Sequence, residues 1–352
     1  MKVLLLDLGK IIRGGQRQVF YLARYLKQTA GVEPIVVTPQ GAPLEAILKE
    51  VGIRCFTLPS GCDWNLFNIY RFIHIVSSEK PDIVHTNDAK GASLAALAKM
   101  YLGNFKLIHS RRVSYPLKTG WSRKKYLYGD ALVAVSKEIQ QILIRCEIPR
   151  EKTTTIHSGI DATLYSKEKH EHRLLTIGAV GALSTQKGFE VLIEALAELK
   201  KKKTLPDWQC LIAGDGPLLQ QLKIRADELE LTGSIIFLGY KDSKEVLPEI
   251  DILAVPSIDG EGSNAVIKEG WASGTPVITS DLQSNLELVT HEQDGLIFQN
   301  RDAKDLALAI VRLIEDKQLS DKLIENGSIT INGFTDITMA ERYMHLYQKL
   351  VS

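Results

Sequence analysis

The sequence predicts an α/β protein made of two doubly wound domains, each a parallel sheet covered by helices on both faces. Three observations carry this reading. Short Val/Ile/Leu-rich runs alternate with longer amphipathic segments along the chain. Continuous apolar runs mark strands buried on both faces, and the long connections between them mark parallel order. The alternation pauses once, over 146–172, and then restarts; the chain's 352 residues also exceed what one core usually holds.

In the first half, strands are expected at 2–7 (KVLLLD), 33–38, 53–58, 82–85 (DIVH), 105–109 (FKLIH) and 131–135 (ALVAV). Helical patterns fall between them, at 16–29, 43–51, 65–79, 89–101 and 137–145. Right-handed crossovers join such elements into a doubly wound sheet. The stretch 146–172 is polar, carries a Ser-Gly-Ile-Asp turn at 158–161, and reads as a linker. Strands then recur at 174–179, 208–213, 234–238, 251–255 (DILAV), 275–279 and 295–298. Their helices fit 187–202, 217–229, 243–249, 264–273, 302–315 and 318–327. The domain boundaries are drawn at 1–160 and 161–334. The last helix, within 335–352, is open to packing on either domain, with a return onto the first as one arrangement. Two such domains in tandem are expected to set their strand C-termini around one cleft, where ligands of open α/β sheets bind.

Composition excludes several classes. Hydrophobic residues make up 45% and charged residues 24% of the chain, as in ordinary globular proteins. A formal net charge of +1 gives no bias toward nucleic acid, so none is expected as a partner. The four cysteines, Cys55, Cys62, Cys146 and Cys210, show neither C-x-x-C spacing nor a His/Cys cluster. They read as reduced thiols of a cytosolic protein rather than as zinc ligands or a redox pair. In MKVLLLDLGK the apolar run is too short for a signal peptide and Asp7 breaks it, so a buried first strand is expected. No apolar stretch is long enough to span a bilayer. The run KKKK at 200–203 closes a helix, where cations suit the dipole.

The chemistry-bearing stretches lie at strand–helix junctions. EGSNAVIKE, 261–269, follows the strand DILAV. Its glycines admit close backbone approach, Ser263 or Asn264 can cap the helix, and the free amides of a helix start attract anions. Glu261 lies before the helix and Glu269 more than a turn inside it, roughly 8–12 Å further along. That gap is too wide for one acid/base pair and suits the two ends of a nucleotide-sugar; two solvated glutamates are the competing reading. In GALSTQKGF, Lys187 precedes a helix and suits a phosphate, although a plain surface lysine has the same pattern. AGDGP at 213–217 reads as a tight turn with Asp215 beside the ligand edge, since it lacks the third glycine of a dinucleotide fingerprint. Gly15 lies in the loop RGGQRQ with Arg13 and Arg17 beside it. His85 and His109 end strands, where an imidazole orients a sugar or takes a proton, unless each is structural. Finally, RRVSYPLKTGWSRKKYLYG, 111–129, interleaves Arg111, Arg112, Lys118, Arg123, Lys124 and Lys125 with Tyr115, Trp121, Tyr126 and Tyr128. It suits an anionic acceptor or an anionic membrane surface; an exposed helix with no specific contact is the alternative.

Taken in order, GGQRQVFYLARYL, ALVAVSKEI, TTIHSGID, GALSTQKGF, LIAGDGP, IIFLGY and EGSNAVIKEGWASGTPVI resemble the landmarks of the retaining glycosyltransferases of family 4, which have the GT-B fold of two Rossmann-like domains. The resemblance covers nearly the whole chain. It implies that Glu269 binds ribose hydroxyls and that Glu261 lies near the transferred sugar. The segment Gly262, Ser263, Asn264 and Ala265 would hold sugar and diphosphate, with Lys187 on the diphosphate. Gly239 and Tyr240 would lie beside the base, and Gly15 beside the diphosphate and acceptor. The first domain would then bind acceptor and the second the donor. Two departures stand out. Ala182 replaces the arginine that usually precedes the family lysine, leaving Arg13, Arg17 or Arg111 as substitutes, and His85-Thr86-Asn87 replaces the usual H-x-H.

The expected activity is therefore transfer of a sugar from a nucleoside-diphosphate donor to an acceptor hydroxyl with retention. HSRRVSYP resembles segments of members that build lipopolysaccharide or other surface glycans, which points to a glycan or lipid-linked acceptor. No cofactor is expected, and no Asp-x-Asp triplet for a metal is present. The location expected is cytoplasmic, with peripheral contact at the inner face of the membrane as an option. A nucleotide-sugar 2-epimerase and a non-catalytic nucleotide-sugar or glycan-binding protein are the alternatives, with a dehydrogenase third.

Overall fold

The computed structural model describes residues 1–59, 65–166, 168, 170 and 174–352, so Cys62 and part of the expected linker lie outside the described residues. The chain divides into two compact units, one formed by Met1–Asp161 with Thr335–Ser352 and the other by Ala162–Phe334. Both are Rossmann-like, with parallel sheets.

The first unit holds β1 (Lys2–Leu6), α1 (Gly14–Gln28), β2 (Glu33–Pro39), α2 (Pro43–Glu50), β3 (Arg54–Leu58), α3 (Leu66–Glu79), β4 (Ile83–Thr86), α4 (Ala89–Leu102), β5 (Lys106–Arg111), α5 (Trp121–Leu127), β6 (Ala131–Ala134), α6 (Lys137–Arg145) and β7 (Thr153–Thr155). The strand order is β3-β2-β1-β4-β5-β6-β7. Val3 to Leu6 of β1 have no exposed surface, as a central strand covered on both faces requires. Asp88 caps α4 by accepting from Lys90 and Gly91 N–H, and Ser136 caps α6 through Ile139 N–H. The expected linker contains β7, which pairs with β6 at Leu132↔Thr153. Three threonines at a sheet edge give no apolar run, so periodicity passes over them.

The second unit holds β8 (Leu175–Val180), α7 (Phe189–Lys200), β9 (Trp208–Ala213), α8 (Leu219–Glu228), β10 (Ile235–Gly239), α9 (Ser243–Val246), β11 (Ile252–Val255), α10 (Ala265–Ala272), β12 (Val277–Ser280), α11 (Gln283–Leu286), β13 (Leu296–Phe298), α12 (Ala303–Glu315) and α13 (Lys317–Thr330). Its order is β10-β9-β8-β11-β12-β13. α10 is fixed at its far end: Trp271 is buried, its Nε1 donates to Asp294 O at 2.7 Å, and Gly327 of α13 lies so close that a Cβ there would meet the indole at 2.5 Å.

The last helix, α14 (Asp336–Val351), belongs to the first unit, where Met339, Ala340, Tyr343 and Tyr347 join Val19 and Leu22 of α1 in one core. Arg24 closes this return by bonding both Asp161 (2.8 Å) and Asp336 (2.6 Å). In each sheet the direction of winding reverses once, between β1 and β4 and between β8 and β11. Such reversals open a crevice beyond the strand C-termini.

Candidate active site

In the second unit, the loops after β8 and β11 lie side by side because their strands are neighbours. Ile258 N–H donates to Gln186 O at 2.8 Å. Gly188 permits the approach: its φ is 63°, and a Cβ there would lie 2.0 Å from Pro256 O. The result brings Lys187 Nζ within 2.6 Å of Glu261 Oε1 across 74 residues of chain. Ser257 Oγ donates to the same carboxylate oxygen at 2.7 Å, and Ser257 O in turn accepts from Ser280 Oγ. Both ends of the ion pair keep some solvent contact, at 24% for Lys187 and 11% for Glu261.

Immediately after this pair the chain enters α10. Asn264 is its N-cap residue, but its side chain makes no cap bond. The side chain is buried, and Nδ2 has no protein partner. Gly262, Ser263 and Ala265 are half-buried around it. Ser263 Oγ accepts from the buried Lys268 Nζ at 2.6 Å, and that ammonium also lies 5.4 Å from the Phe334 ring centroid. Glu269 is buried beside Lys268 on the helix. Gly239 ends β10 with φ 68° and nothing within 4 Å of where a Cβ would stand, and Tyr240 beyond it is exposed. Asp215 closes its own turn, its Oδ1 accepting from Gly216 N–H at 2.7 Å. Ala182 is exposed.

The corresponding edge of the first unit gathers different chemistry. Asp7, after β1, accepts from Gly9 N–H and Gln16 Nε2, both at 2.8 Å. Asp88, after β4, accepts from Leu8 N–H at 2.7 Å as well as from its two cap amides. Burial, and then the charge of Asp7, push the Asp88 carboxyl up to about 6. Gly15 lies in the first turn of α1, Arg13 is exposed just before it, and Arg17 is half-buried. Arg112 reaches Asn87 Oδ1 (3.1 Å) and Ser158 Oγ (3.3 Å).

The two histidines turn inward. His85 has no exposed surface; its Nδ1 bonds Tyr347 Oη (2.6 Å) and its Nε2 bonds Ser110 Oγ (2.8 Å). Burial holds its pKa well below the usual imidazole range, with the Arg112 charge adding to the effect. His109 is equally buried, bonds Thr86 Oγ1 through Nδ1 (2.7 Å), and is pushed down to about 3 by burial and then by Lys125. Neither imidazole meets solvent, and each is held by buried hydrogen bonds.

The basic stretch divides between buried and accessible groups. Arg111 is buried, donates to Tyr115 O and stands 4.7 Å from that ring's centroid. Lys125 is buried and donates to Ala89 O and Ser93 Oγ. Arg123 pairs with Glu147. Only Lys118 and Lys124 of the six cations are exposed, and Trp121 is half-buried. Arg112 and Arg123 keep partial exposure, and no helix among the described residues is long and apolar enough to cross a membrane.

A family model described as Glycosyltransferase Family 4 matches residues 12–164, and one described as Glycosyl transferases group 1 matches 163–329. The chain belongs to glycosyltransferase family 4. Among curated relatives of this glycosyltransferase is the UDP-Gal:alpha-D-GlcNAc-diphosphoundecaprenol alpha-1,3-galactosyltransferase of Escherichia coli, 25% identical with 90% of this chain and 89% of the relative covered. Another is the lipopolysaccharide core biosynthesis glycosyltransferase LpsE of Rhizobium meliloti, 26% identical over 78% of this chain and 77% of the relative. Among solved structures, a glycosyltransferase from Rickettsia africae superposes with TM-score 0.87 at 24% identity, covering 100% of this chain and 98% of that one. Anabaena Alr3699/HepE in complex with UDP superposes with TM-score 0.86 at 20% identity, covering 99% and 100%. These superpositions show that the glycosyltransferase has the GT-B fold.

Sequence reasoning missed three groups here. Ser257 carries no motif of its own; its position directly after a strand end was the available signal. Lys268 stands within the quoted helix, yet nothing in its spacing marks an ammonium that turns back to Ser263. Asn87 and Ser158 matter only through Arg112, to which the topology brings them.

Proposed function

We propose that this glycosyltransferase binds a nucleoside-diphosphate sugar at the C-terminal edge of the second unit's sheet and transfers the sugar, with retention, to an acceptor hydroxyl of a surface glycan or its lipid-linked precursor. The observation that carries the reading is the start of α10. There, uncapped amides and the unpartnered Asn264 Nδ2 stand directly after the Lys187–Glu261 pair. A helix start with free donors favours phosphate oxygens, and a lysine beside it supplies a mobile point charge.

In this reading Lys187 leaves Glu261 for the diphosphate when donor binds, and Glu261 is released toward the sugar. The bond between the anomeric carbon and the phosphate oxygen breaks, and negative charge grows on the leaving diphosphate. Lys187 and the amides of 262–265 are already in place to hold that charge, which lowers the barrier without reorganisation. The acceptor oxygen bonds the anomeric carbon on the same face, and its proton passes to the departing phosphate oxygen. Glu269 takes the ribose hydroxyls, while the Gly239–Tyr240 turn lies against the base. The first unit takes the acceptor through Gly15, Arg13, Arg17 and Arg112, and His85, His109, Arg111 and Lys125 hold its fold. The free thiols of Cys55, Cys146 and Cys210 support a reducing, cytoplasmic location.

The uridine donors in the names of relatives make UDP-sugars the first to test. The experiment is a thermal-shift screen of UDP, GDP and ADP and their hexose conjugates, followed by measurement of nucleoside diphosphate released with and without glycan acceptors. Stabilisation by one nucleotide family with acceptor-dependent release supports the reading. Release that needs no acceptor, with an epimerised sugar, would replace it by the 2-epimerase reading.

A further inference from the structure

A charged group lies inside the ligand edge of the second unit. Lys268 of α10 has no exposed surface. Its Nζ donates to Ser263 Oγ at 2.6 Å and stands 5.4 Å from the Phe334 ring centroid. Methionine would fill much the same space without the cost of holding a cation out of water.

The direction of the contact follows from chemistry. An ammonium has three donors and no acceptor. Ser263 Oγ must therefore accept, and its own proton must go elsewhere. No acceptor for that proton stands among the described residues. The next residue, Asn264, is 2% exposed, and its Nδ2 is likewise without a partner. The carboxylates of this edge do not take these two donors. The first turn of α10 has no acidic residue, Glu261 Oε1 is held by Lys187 and Ser257, and Glu269 lies a turn into the helix. A hydroxyl that accepts from a cation becomes a better donor, since each bond polarises the next, and its best match is an anionic oxygen.

We infer that Lys268 is a positioning residue of the transferase: it commits the Ser263 hydroxyl to donate and conveys its charge through that hydroxyl to an anionic oxygen of the nucleoside diphosphate. This deepens the proposed function and rests on the donor site read at the start of α10. It gives the diphosphate a second cation beside Lys187, held in the interior and acting through one fixed oxygen.

The test is a double-mutant cycle on the full chain, read as Kd by titration calorimetry with whichever of UDP, GDP and ADP raises Tm most. Ser263→Ala should weaken binding roughly tenfold, as expected for loss of a charge-assisted hydrogen bond. Lys268→Met, which keeps the apolar stem, should weaken it roughly three- to tenfold. In the Ser263→Ala background the same change should cost less than about twofold, because the ammonium then has no hydroxyl to act through. Ser263→Thr keeps the hydroxyl and should restore both the affinity and its sensitivity to Lys268→Met. Full affinity in a folded Ser263→Ala chain overturns the inference. So does an equal loss from Lys268→Met in both backgrounds, which marks a lysine that acts on its own or only on the fold. If Lys268→Met does not fold, Lys268→Gln, which donates to Ser263 without a charge, takes its place; a loss of about two- to fivefold is then expected, and the same outcomes decide. A chain that shows this coupling yet transfers no sugar faults the transferase reading alone, whereas a chain that binds none of the three diphosphates overturns both.

Discussion

Replacing Lys187 with alanine separates chemistry from stability more sharply than any other single change. The ion pair with Glu261 is short at 2.6 Å but partly wet. Pairs of this exposure contribute at most about 1 kcal/mol, and Glu261 keeps its bond from Ser257 after the lysine is gone. A loss of about 1 kcal/mol from a unit spanning Ala162–Phe334 lowers Tm by roughly 2–4 °C. The effect on turnover is of another order. A preorganised donor to developing negative charge is worth about 3–4 kcal/mol in the barrier, roughly 10²–10³ in rate. The assay is steady-state release of nucleoside diphosphate with saturating donor and acceptor, run beside thermal unfolding. A kcat within about threefold of wild type, from a variant whose Tm has moved as stated, would refute the leaving-group role of Lys187; the threefold margin is about half the energy of one decade in rate.

Further predictions rest on other contacts. Gly188→Ala forces an ordinary side chain into φ 63° against Pro256 O at 2.0 Å; a loss of about 3 kcal/mol or more is expected, read by denaturant unfolding, and a Tm within 2 °C of wild type would contradict the packing of these loops. Gly14 meets nothing within 4 Å of where a Cβ would stand and opens a helix, so Gly14→Ala should fold normally and gain up to about 1 kcal/mol. His109 is pushed down to about 3 and His85 well below its usual range. Between pH 3 and 6.5 the unfolded chain therefore binds more protons at these sites than the folded one, and stability falls as pH falls. His109 should cost about 2 kcal/mol at pH 5 relative to pH 7.5, His85 should add a loss of the same sign, and a pH-independent unfolding free energy over that range would show that they are not buried neutral.

Much of this architecture is written in local pattern. Runs such as Val3–Leu6 and Ile252–Val255 are buried on both faces, so apolar continuity alone marks them as strands. Glu261 and Lys187 were legible one at a time, because each stands at a strand–helix junction. Their meeting was not, since it follows from β8 lying beside β11, a neighbourhood that no stretch of sequence states. His85 shows what local position leaves out. Its place at a strand end suggested the ligand edge, yet alternation turned the ring toward Tyr343 and Tyr347 of a helix some 260 residues away, and the docking of α14 is a tertiary event. Lys125 and Arg111 are similar: charge in the sequence does not reveal that the ammonium or guanidinium turns inward to backbone carbonyls.

The most direct measurement is a crystal structure of the chain soaked with the nucleoside diphosphate that stabilises it best. The account predicts phosphate oxygens within hydrogen-bond distance of the 262–265 amides and of Asn264 Nδ2, with Lys187 Nζ drawn off Glu261 and onto the diphosphate. A nucleotide seated elsewhere, with the Lys187–Glu261 pair intact and the start of α10 filled only by water, would contradict it.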